Sequence, residues 1–340
     1  MQEVQQLLAN IWFFLIGLIL VFYVVLDGFD LGVGILSLFA RKADHHAVMM
    51  SSIGSVWGAN ETWLVLLAGS LFGAFPLAFG VIFHALYIPI MFMLLGLILR
   101  GVSFEFIEHA PRKNVWTWAF GSGSLLAALA QGLALGGLLD GLRVEGREFT
   151  GGIWDWLSPF ALITAAGVVF GYALLGATWL ILKTSGTTQR RSMRSAQVCA
   201  YLMLCAAVIV TIATIVKFEH IAERWFSLPN FFWIAPIPAF ALFAFVMLIR
   251  ALRKGHERAP FAWSLTLFIC SLSGLAVSLY PIIVPPHITL IDAAASAKTL
   301  AFMLPGIGML IPIMLFYNGY QYLVFRGKVK AGGYGVNGDG

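Results

Sequence analysis

The chain has 340 residues, of which 60% are hydrophobic and only 11% are charged, and its mean hydropathy is +0.89. Because soluble globular domains are about 25% charged, this composition excludes an ordinary soluble protein and favours an integral membrane protein. The net charge of +5 requires no nucleic-acid partner, because the placement of the basic residues along the chain explains it.

Nine apolar segments follow one another, each long enough to cross a bilayer as a helix. The second segment is the weakest, because its first half, MMSSIGSVWGANETW, is polar. Residues 1–10 carry no Lys or Arg, and the first apolar run is too long for the core of a signal peptide, so we expect no cleavable signal. The predicted segments are 10–39, 49–72, 76–99, 115–139, 157–182, 195–216, 230–249, 260–285 and 300–325.

Lysine and arginine are unevenly distributed over the connections between these segments. Of the 21 Lys and Arg residues, 16 fall in the first, third, fifth and seventh connections and the C-terminal tail, with Arg100 counted in the third. Cytoplasmic loops of membrane proteins carry an excess of Lys and Arg. The distribution therefore predicts an odd number of spans, with the N-terminus outside and the C-terminus in the cytoplasm.

The first and fifth segments share a loose pattern of aromatic, apolar and glycine residues, FYVVLDGFDLGVGIL and FGYALLGATWLILKT. Two four-helix bundles and one peripheral helix account for nine spans. We therefore predict an all-α integral membrane protein. Residues 1–140 form the first bundle, 141–156 an outer loop, 157–286 the second bundle, and 287–340 the last transmembrane helix and a cytoplasmic tail.

Three acidic residues are predicted to lie at similar depth in the membrane. Asp27 and Asp30 are three residues apart and share one helix face. Glu61, which follows Asn60 in the next, antiparallel segment, is roughly 18 Å from the same membrane side, against roughly 15–20 Å for the aspartates. A charge at the bilayer centre costs about 2.5–3.5 kcal/mol, and no Lys or Arg is expected at that depth. Such a group cannot remain fully ionised, which suits a path for protons.

Other interpretations of these polar residues stay open. Asp27 or Asp30 alone is also explained by an ordinary hydrogen bond to a neighbouring helix. A proton-coupled secondary transporter also uses midplane carboxylates and internal repeats, although its polar residues would line both halves. His84 is the only histidine placed deep in a span, and helix packing or proton relay is favoured there over heme ligation, because no second spanning histidine is found.

Eight short motifs follow in order over nearly the whole chain, and their combination is specific although each alone is weak. They are DGFDLGVG (27–34), SVWGANETWLV (55–65), LFGAFPLAF (71–79), GVSFEF (101–106), LDGLRVEGREFTGG (139–152), AERWFSLPN (222–230), PPHITLIDAAA (285–295) and FRGKV (325–329). Together they resemble subunit II of cytochrome bd-type quinol oxidases, most closely the cyanide-insensitive branch.

This resemblance implies a heterodimer with a homologous heme-bearing subunit I in the bacterial inner (plasma) membrane. In that family the complex oxidises quinol, reduces dioxygen to water and takes its protons from the cytoplasm. Subunit I holds hemes b and d, or a third heme b in place of heme d, together with the quinol site, so no cofactor is expected directly on this chain. A structural quinone, a small single-helix subunit and bound membrane lipid are left open, and no nucleic acid is expected.

The resemblance also assigns roles to residues of the first two segments. Asp27 matches a proton-path aspartate, and Trp63 matches a tryptophan near the oxygen entrance. Trp57 and Asn60 belong to the same motif as Trp63, and Trp57 is expected in the oxygen path or at the subunit interface.

The second-span motif departs from the family at one position. The usual pattern is Trp-Asp-Gly-Asn, and its Asp is a second proton-path carboxylate, whereas this chain has Gly58 and Ala59. Glu61, about one helical turn further on, is the candidate substitute. We therefore expect the proton path to use Asp27, Glu61, Asp30 and Asn60.

Overall fold

The computed structural model describes residues 2–40, 43–107 and 110–329. Arg41, Lys42 and Lys330, which contribute to the count of basic residues on the inner side, lie outside the described residues. The helices are α1 (Gln2–Ser37), α2 (Ala43–Ser51), α3 (Trp57–Ala74), α4 (Pro76–Ala85), α5 (Tyr87–Ile107), α6 (Lys113–Asp140), α7 (Pro159–Lys183), α8 (Gly186–Lys217), α9 (Glu219–Phe226), α10 (Asn230–Ile234), α11 (Pro236–Arg253), α12 (Ala259–Leu279), α13 (Leu290–Ala293) and α14 (Ala297–Val324). Two short antiparallel hairpins pair β1 (Val144–Glu145) with β2 (Glu148–Phe149) and β3 (Ile282–Val284) with β4 (Ile288–Thr289).

The all-α membrane class is confirmed. Among the described residues, eight helices are long and apolar enough to cross a membrane. They are α1, α5, α6, α7, α8, the continuous stretch Asn230–Arg253 that contains α10 and α11, α12 and α14. The second predicted segment corresponds to α3, which is not one of the eight and whose first turns carry Asn60 and Glu61.

The third predicted segment, 76–99, is wrong in its extent. The structure divides it between α4 and α5, and α5 continues to Ile107. Pro89 in the first turn of α5 has no N–H to donate to the preceding turn, and the break lies just before it. Arg100, assigned to a loop from the sequence, is therefore inside a helix, seven residues before its end, and is fully buried.

Helix α1 lies at the centre of the molecule, in contact with α3, α6 and α7. Gly32 of α1 and Gly176 of α7 allow the two backbones to touch: a Cβ atom added to Gly32 would lie 1.8 Å from the carbonyl oxygen of Tyr172. This close approach encloses the motif DGFDLGVG, since every residue from Asp27 to Gly34 is buried.

Hydrogen bonds join the helices at both ends of the molecule. At one end, the N–H of Ala295 donates to the carbonyl of Ala74 at the last residue of α3 (2.9 Å). At the other end, the indole Nε1 of Trp179 donates to the carbonyl of Ser52 (3.2 Å), and Lys183 Nζ donates to the carbonyl of Phe325 (2.7 Å). Helix α3 therefore extends from one end of the helix assembly to the other.

Candidate functional site

Asp27 and Arg100 form an ion pair in the interior of the helix assembly. Arg100 Nη1 donates to Asp27 Oδ1 at 2.6 Å, and the two side chains are 0% and 1% exposed. Asp27 lies ten residues before the end of α1 and Arg100 seven before the end of α5, which corresponds to roughly 15 Å and 10 Å along the helices. Each charge removes much of the desolvation cost that the other would carry alone.

Glu61 joins this pair from α3. Its Oε1 is 3.5 Å from Arg100 Nη2, and its side chain is 27% exposed. One turn earlier on α3, the Trp57 ring stacks on Phe104, with centroids 5.2 Å apart and planes at 6°. Consecutive turns of α3 thus contact consecutive turns of α5 in antiparallel sense, which places Glu61 opposite Arg100.

Asp30 has a separate partner on α3. Asn60 Nδ2 donates to Asp30 Oδ2 at 2.9 Å and to the carbonyl of Leu26 at 3.3 Å. The hydroxyl of Tyr322, on the last helix α14, donates to Asn60 Oδ1 at 2.8 Å. Because both ends of the amide are engaged, Tyr322 fixes the orientation in which Asn60 donates to Asp30.

The two tryptophans predicted in the oxygen path or at the interface have different surroundings. Trp63 is fully buried among Ile19, Leu66 and Ile311, and its ring stacks on Phe22 with centroids 4.6 Å apart. Trp57 is half-buried near the start of the same helix. The structure therefore puts Trp63 in an apolar interior and Trp57 beside the acidic cluster.

The sequence-based expectation that no Lys or Arg lies at the depth of the carboxylates is wrong. Arg100 contacts Asp27 and Glu61, so the cluster is three acids and one base. Among the described residues, Asp27 Oδ2, Asp30 Oδ1 and Arg100 Nε are buried without a hydrogen-bond partner. Carboxyl oxygens with unused acceptor capacity in a buried network can take up a proton and release it, which is the chemistry that a proton path requires.

Sequence reasoning missed two members of this site. Arg100 follows the apolar run 90–99, and this position suggests the end of a span. The motif GVSFEF directly after it continues the helix and could have indicated that Arg100 lies inside the span. Tyr322 lies 262 residues from Asn60 in the chain, and no local pattern indicates such a contact.

His84 does not lie deep in the protein. It is exposed on α4, and its ring packs edge-on against Phe149 of the first hairpin, with centroids 5.5 Å apart. This contact joins α4 to the hairpin of β1 and β2, not to another helix. Within the described residues, no group of three or more His, Cys, Asp or Glu side chains is arranged to hold a metal ion.

The fold and this cluster define a class of protein: a multi-span, all-helical membrane protein with ionisable side chains in its interior. Ionisable side chains inside a membrane-spanning assembly are rare and mark ion or proton paths, and here they sit at the centre of an all-helical, multi-span chain.

The chain belongs to the family of cytochrome bd terminal oxidase subunit II, whose model matches residues 8–325. It is 28% identical to cytochrome bd-I ubiquinol oxidase subunit 2 of Escherichia coli (strain K12), over 95% of this chain and 96% of the relative. It is 25% identical to cytochrome bd ubiquinol oxidase subunit 2 of Bacillus subtilis (strain 168), over 95% of this chain and 97% of the relative. The structure of bd oxidase from Geobacillus thermodenitrificans contains a chain of the same fold, with a TM-score of 0.77, 18% identity, and coverage of 94% of this chain and 99% of that one.

These comparisons confirm the family resemblance found in the sequence. The chain is a subunit of a bd-type quinol oxidase, a terminal oxidase of respiration, in the bacterial inner membrane. Membership of the cyanide-insensitive branch stays a prediction.

Proposed function

We propose that this subunit takes up protons from the cytoplasm and passes them through its buried acidic cluster to a heme-bearing partner subunit. The observation that carries the proposal is the ion pair of Asp27 with Arg100, extended by Glu61. Of the three acidic side chains, Asp27 and Asp30 are fully buried, whereas Glu61 remains 27% exposed. Glu61 is therefore the member through which protons enter, and Asp27 is the inner one.

Glu61 also takes over the task of the carboxylate that Gly58 replaces. Gly58 is exposed, and a Cβ atom added to it would have no neighbour within 4 Å. Glu61 lies on the adjacent part of the same helix face and contacts Arg100. Because Glu61 already supplies a carboxylate to Arg100, the path needs none at position 58.

The exposed face of α3 is proposed to bind the heme-bearing subunit I. Gly58, Thr62, Val65, Gly69 and Phe72 follow helical spacing and are all exposed, and Glu61 lies beside them. A carboxylate at this depth is costly against lipid, whereas a partner subunit can offer it hydrogen bonds. Hemes b and d, or a third heme b, and the quinol site are proposed on that partner.

The two tryptophans are proposed to have different roles, Trp63 in the oxygen path and Trp57 at the subunit interface. Dioxygen is apolar, and the apolar cluster around Trp63 suits its passage. Trp57, half-buried beside Phe104 near the exposed α3 face, is proposed at the subunit interface.

We also propose the predicted topology of nine spans, with the N-terminus outside. One group of helices, α1, α3, α4 with α5, and α6, corresponds to residues 1–140, and a second, α7, α8, α11 and α12, to residues 157–286. The hairpin of β1 and β2 occupies the proposed outer loop 141–156, and α14 is the peripheral helix. Contacts of α5 with α6, of α7 with α8 and of α11 with α12 support this division, while α7 also packs on α1 and α6 and joins the two groups.

A proton-coupled transporter is the less favoured function. It would place polar groups in both halves, whereas the charged cluster is drawn from α1, α3 and α5 of the first group. Membership of an oxidase subunit family also speaks against it.

The substitution Asp27→Asn in the purified oxidase complex tests the proposal. We expect quinol oxidase turnover, expressed per bound heme, to fall by roughly tenfold or more, because a positioned proton-transfer group contributes about 10²–10⁴-fold. Glu61 still contacts Arg100 in this variant, so the complex continues to bind heme. Asp292→Asn is the matched control: Asp292 is exposed, and hydrogen bonds from Thr289 hold the pKa of its carboxyl below the ordinary value. Wild-type turnover of an assembled Asp27→Asn complex would refute the proton-uptake role.

A further inference from the structure

Two buried tyrosines and a half-buried glutamine, from three helices, form a hydrogen-bonded chain beside the acidic cluster. The hydroxyl of Tyr172, on α7, donates to Gln131 Oε1, on α6, at 2.7 Å. Gln131 Nε2 donates to the hydroxyl oxygen of Tyr23, on α1, at 2.6 Å. The two tyrosines are 3% and 4% exposed, so this chain crosses the interior where α1, α6 and α7 meet.

The hydrogen-bonded chain from Tyr172 through Gln131 to Tyr23 runs toward Asp27. Tyr23 precedes Asp27 by four residues on α1, so the two side chains lie on one face of that helix. The Tyr172 ring packs against Gly28, the next residue after Asp27: a Cβ atom added there would be 2.8 Å from Tyr172 Cε1. The glycine beside the carboxylate thus makes room for a tyrosine whose hydroxyl starts the chain.

The hydrogen-bond donors and acceptors at the end of this hydrogen-bonded chain leave one hydrogen on Tyr23 and one oxygen on Asp27 unused. A tyrosine hydroxyl has one hydrogen to donate and two acceptor lone pairs. The oxygen of Tyr23 accepts from Gln131, so its own hydrogen remains to be donated. Asp27 Oδ1 is bound by Arg100, while Asp27 Oδ2 is buried and has no hydrogen-bond partner among residues of the described ranges. A donor and an acceptor one helical turn apart are therefore both unused.

We propose that the Tyr23 hydroxyl donates to Asp27 Oδ2 through one bridging water molecule, and that Gln131 and Tyr172 are positioning residues that hold the hydroxyl in this orientation. The inference rests on the proposed proton-uptake function of Asp27. The water accepts from the hydroxyl and donates to the carboxylate, because no side chain of the described residues bonds Asp27 Oδ2 directly. Asp27 then has two partners, Arg100 on one oxygen and, through the water, Tyr23 on the other.

The surroundings of Asp27 make this bond consequential. The charged and titratable groups that face it are Arg100 from α5, Glu61 from α3, Asp30 from its own helix and Tyr172 from α7, with Tyr322 of α14 reached through Asn60. Arg100 is the only base in this set. Hydrogen bonds to a charged group are stronger than those between neutral groups, so the tyrosine helps to hold the Asp27 carboxylate in place.

The test uses Tyr23→Phe, Gln131→Leu and Tyr172→Phe in the complete oxidase complex, with heme content measured in each. The first readout is the redox-induced infrared difference spectrum, in which the carboxyl C=O band of Asp27 is identified by its loss in Asp27→Asn. We expect this band to shift in all three variants and turnover to fall between twofold and tenfold. Tyr280→Phe is the matched control, because it removes a hydroxyl that bonds Asn10 Oδ1 (3.3 Å) far from the cluster; its band and turnover should equal those of the wild type.

A wild-type band and wild-type turnover in Tyr23→Phe would overturn the inference. If Gln131→Leu does not assemble, the two phenylalanine variants decide alone, since each removes one oxygen and keeps the ring. Normal turnover in Asp27→Asn would instead remove the proton-uptake function itself. Slow turnover in Asp27→Asn, together with three unaffected chain variants, would leave that function standing and refute only the positioning role.

Discussion

Arg100 sets the electrostatics of the site at the scale of single residues. Without it, three carboxylates would share a buried region with no compensating charge, and at most a minority could ionise. Arg100 lies 2.6 Å from Asp27 and 3.5 Å from Glu61 and matches one negative charge. In the proposed path, the remaining acids exchange protons. The arginine thus holds the cluster together and leaves its acids in unequal environments.

The substitution Arg100→Gln is expected to impair assembly of the complex more than it impairs chemistry. Removing one partner of a buried ion pair costs about 3–5 kcal/mol, because the other charge is left uncompensated. We expect lower heme content and a lower thermal midpoint in the purified complex. The double variant Asp27→Asn with Arg100→Gln should recover part of this assembly, because both members of the closest ion pair are then removed together, but not turnover.

Arg112→Gln provides the control for this cycle. Arg112 is an exposed residue between α5 and α6, and its loss should change neither quantity. An Arg100→Gln complex that is as stable as the wild type would show that the ion pair contributes little to the stability of the complex. The arginine would then not be what holds the acidic cluster together.

The acids were predictable from the sequence and their partners were not. Asp27, Asp30 and Glu61 stand out because a charge within an apolar segment is rare, and helix periodicity puts the two aspartates on one face. Arg100 is equally rare, but it followed an apolar run and resembled a span boundary. Tyr322 and Gln131 are ordinary residues for membrane helices, and only tertiary packing brings them to Asn60 and Tyr23.

At the scale of helices, the close contact of α1 with α7 keeps the acidic cluster enclosed between helices. Association of membrane helices depends on close packing, and small residues permit it. Gly176 meets Gly32 with no space for a side chain, since a Cβ atom on Gly176 would be 2.3 Å from the carbonyl carbon of Gly32. The same contact holds Tyr172 against the residue next to Asp27 and so supports the acidic cluster.

Gly32→Ala should destabilise the complex by about 1–3 kcal/mol, the usual cost of overpacking, because the added methyl group overlaps the Tyr172 carbonyl. Gly17→Ala is a matched control on the same helix, where an added Cβ atom has no neighbour within 4 Å; there the change removes the helix penalty of glycine, about 0.8–1 kcal/mol. Thermal midpoints of the two complexes should therefore move in opposite directions. Equal midpoints would mean that the backbones of α1 and α7 separate without cost.

Helix positions were largely predictable because apolar length is a strong signal, but helix ends were not. The second predicted segment began at 49, whereas the structure separates α2 from α3 and starts α3 at Trp57. Seven residues beyond Arg100 extend α5. Hydropathy reflects the cost of placing a residue in contact with lipid. The predicted start of α3 and the predicted end of α5 are wrong because polar residues there contact other parts of the protein instead of lipid.

At the scale of the whole molecule, the number of membrane spans and the side on which each connection lies depend on whether α3 crosses the membrane. Its 18 residues correspond to about 27 Å at 1.5 Å per residue, close to the roughly 30 Å of the hydrocarbon core. Its last residue, Ala74, bonds to Ala295 near the start of α14, and its first turns lie near Phe104 and Tyr322, toward the opposite ends of α5 and α14. Polar side chains lower its hydropathy, but they face Arg100, Asp30 and the proposed partner surface, and this is why a spanning helix can carry them.

Cysteine labelling in oriented membrane vesicles tests this topology. With Cys205→Ser as background, since Cys205 is the one exposed cysteine among the described residues, single cysteines are introduced by Gln2→Cys, Thr150→Cys and Thr187→Cys at exposed positions. If α3 spans the membrane, four spans separate Gln2 from Thr150, so a membrane-impermeant maleimide should label both from the outside and Thr187→Cys only from the inside. If α3 does not span, three crossings separate the first two sites and they label from opposite sides. In that case Glu61 would lie in a re-entrant segment, and the proposed docking face for the heme-bearing subunit would have to be sought elsewhere.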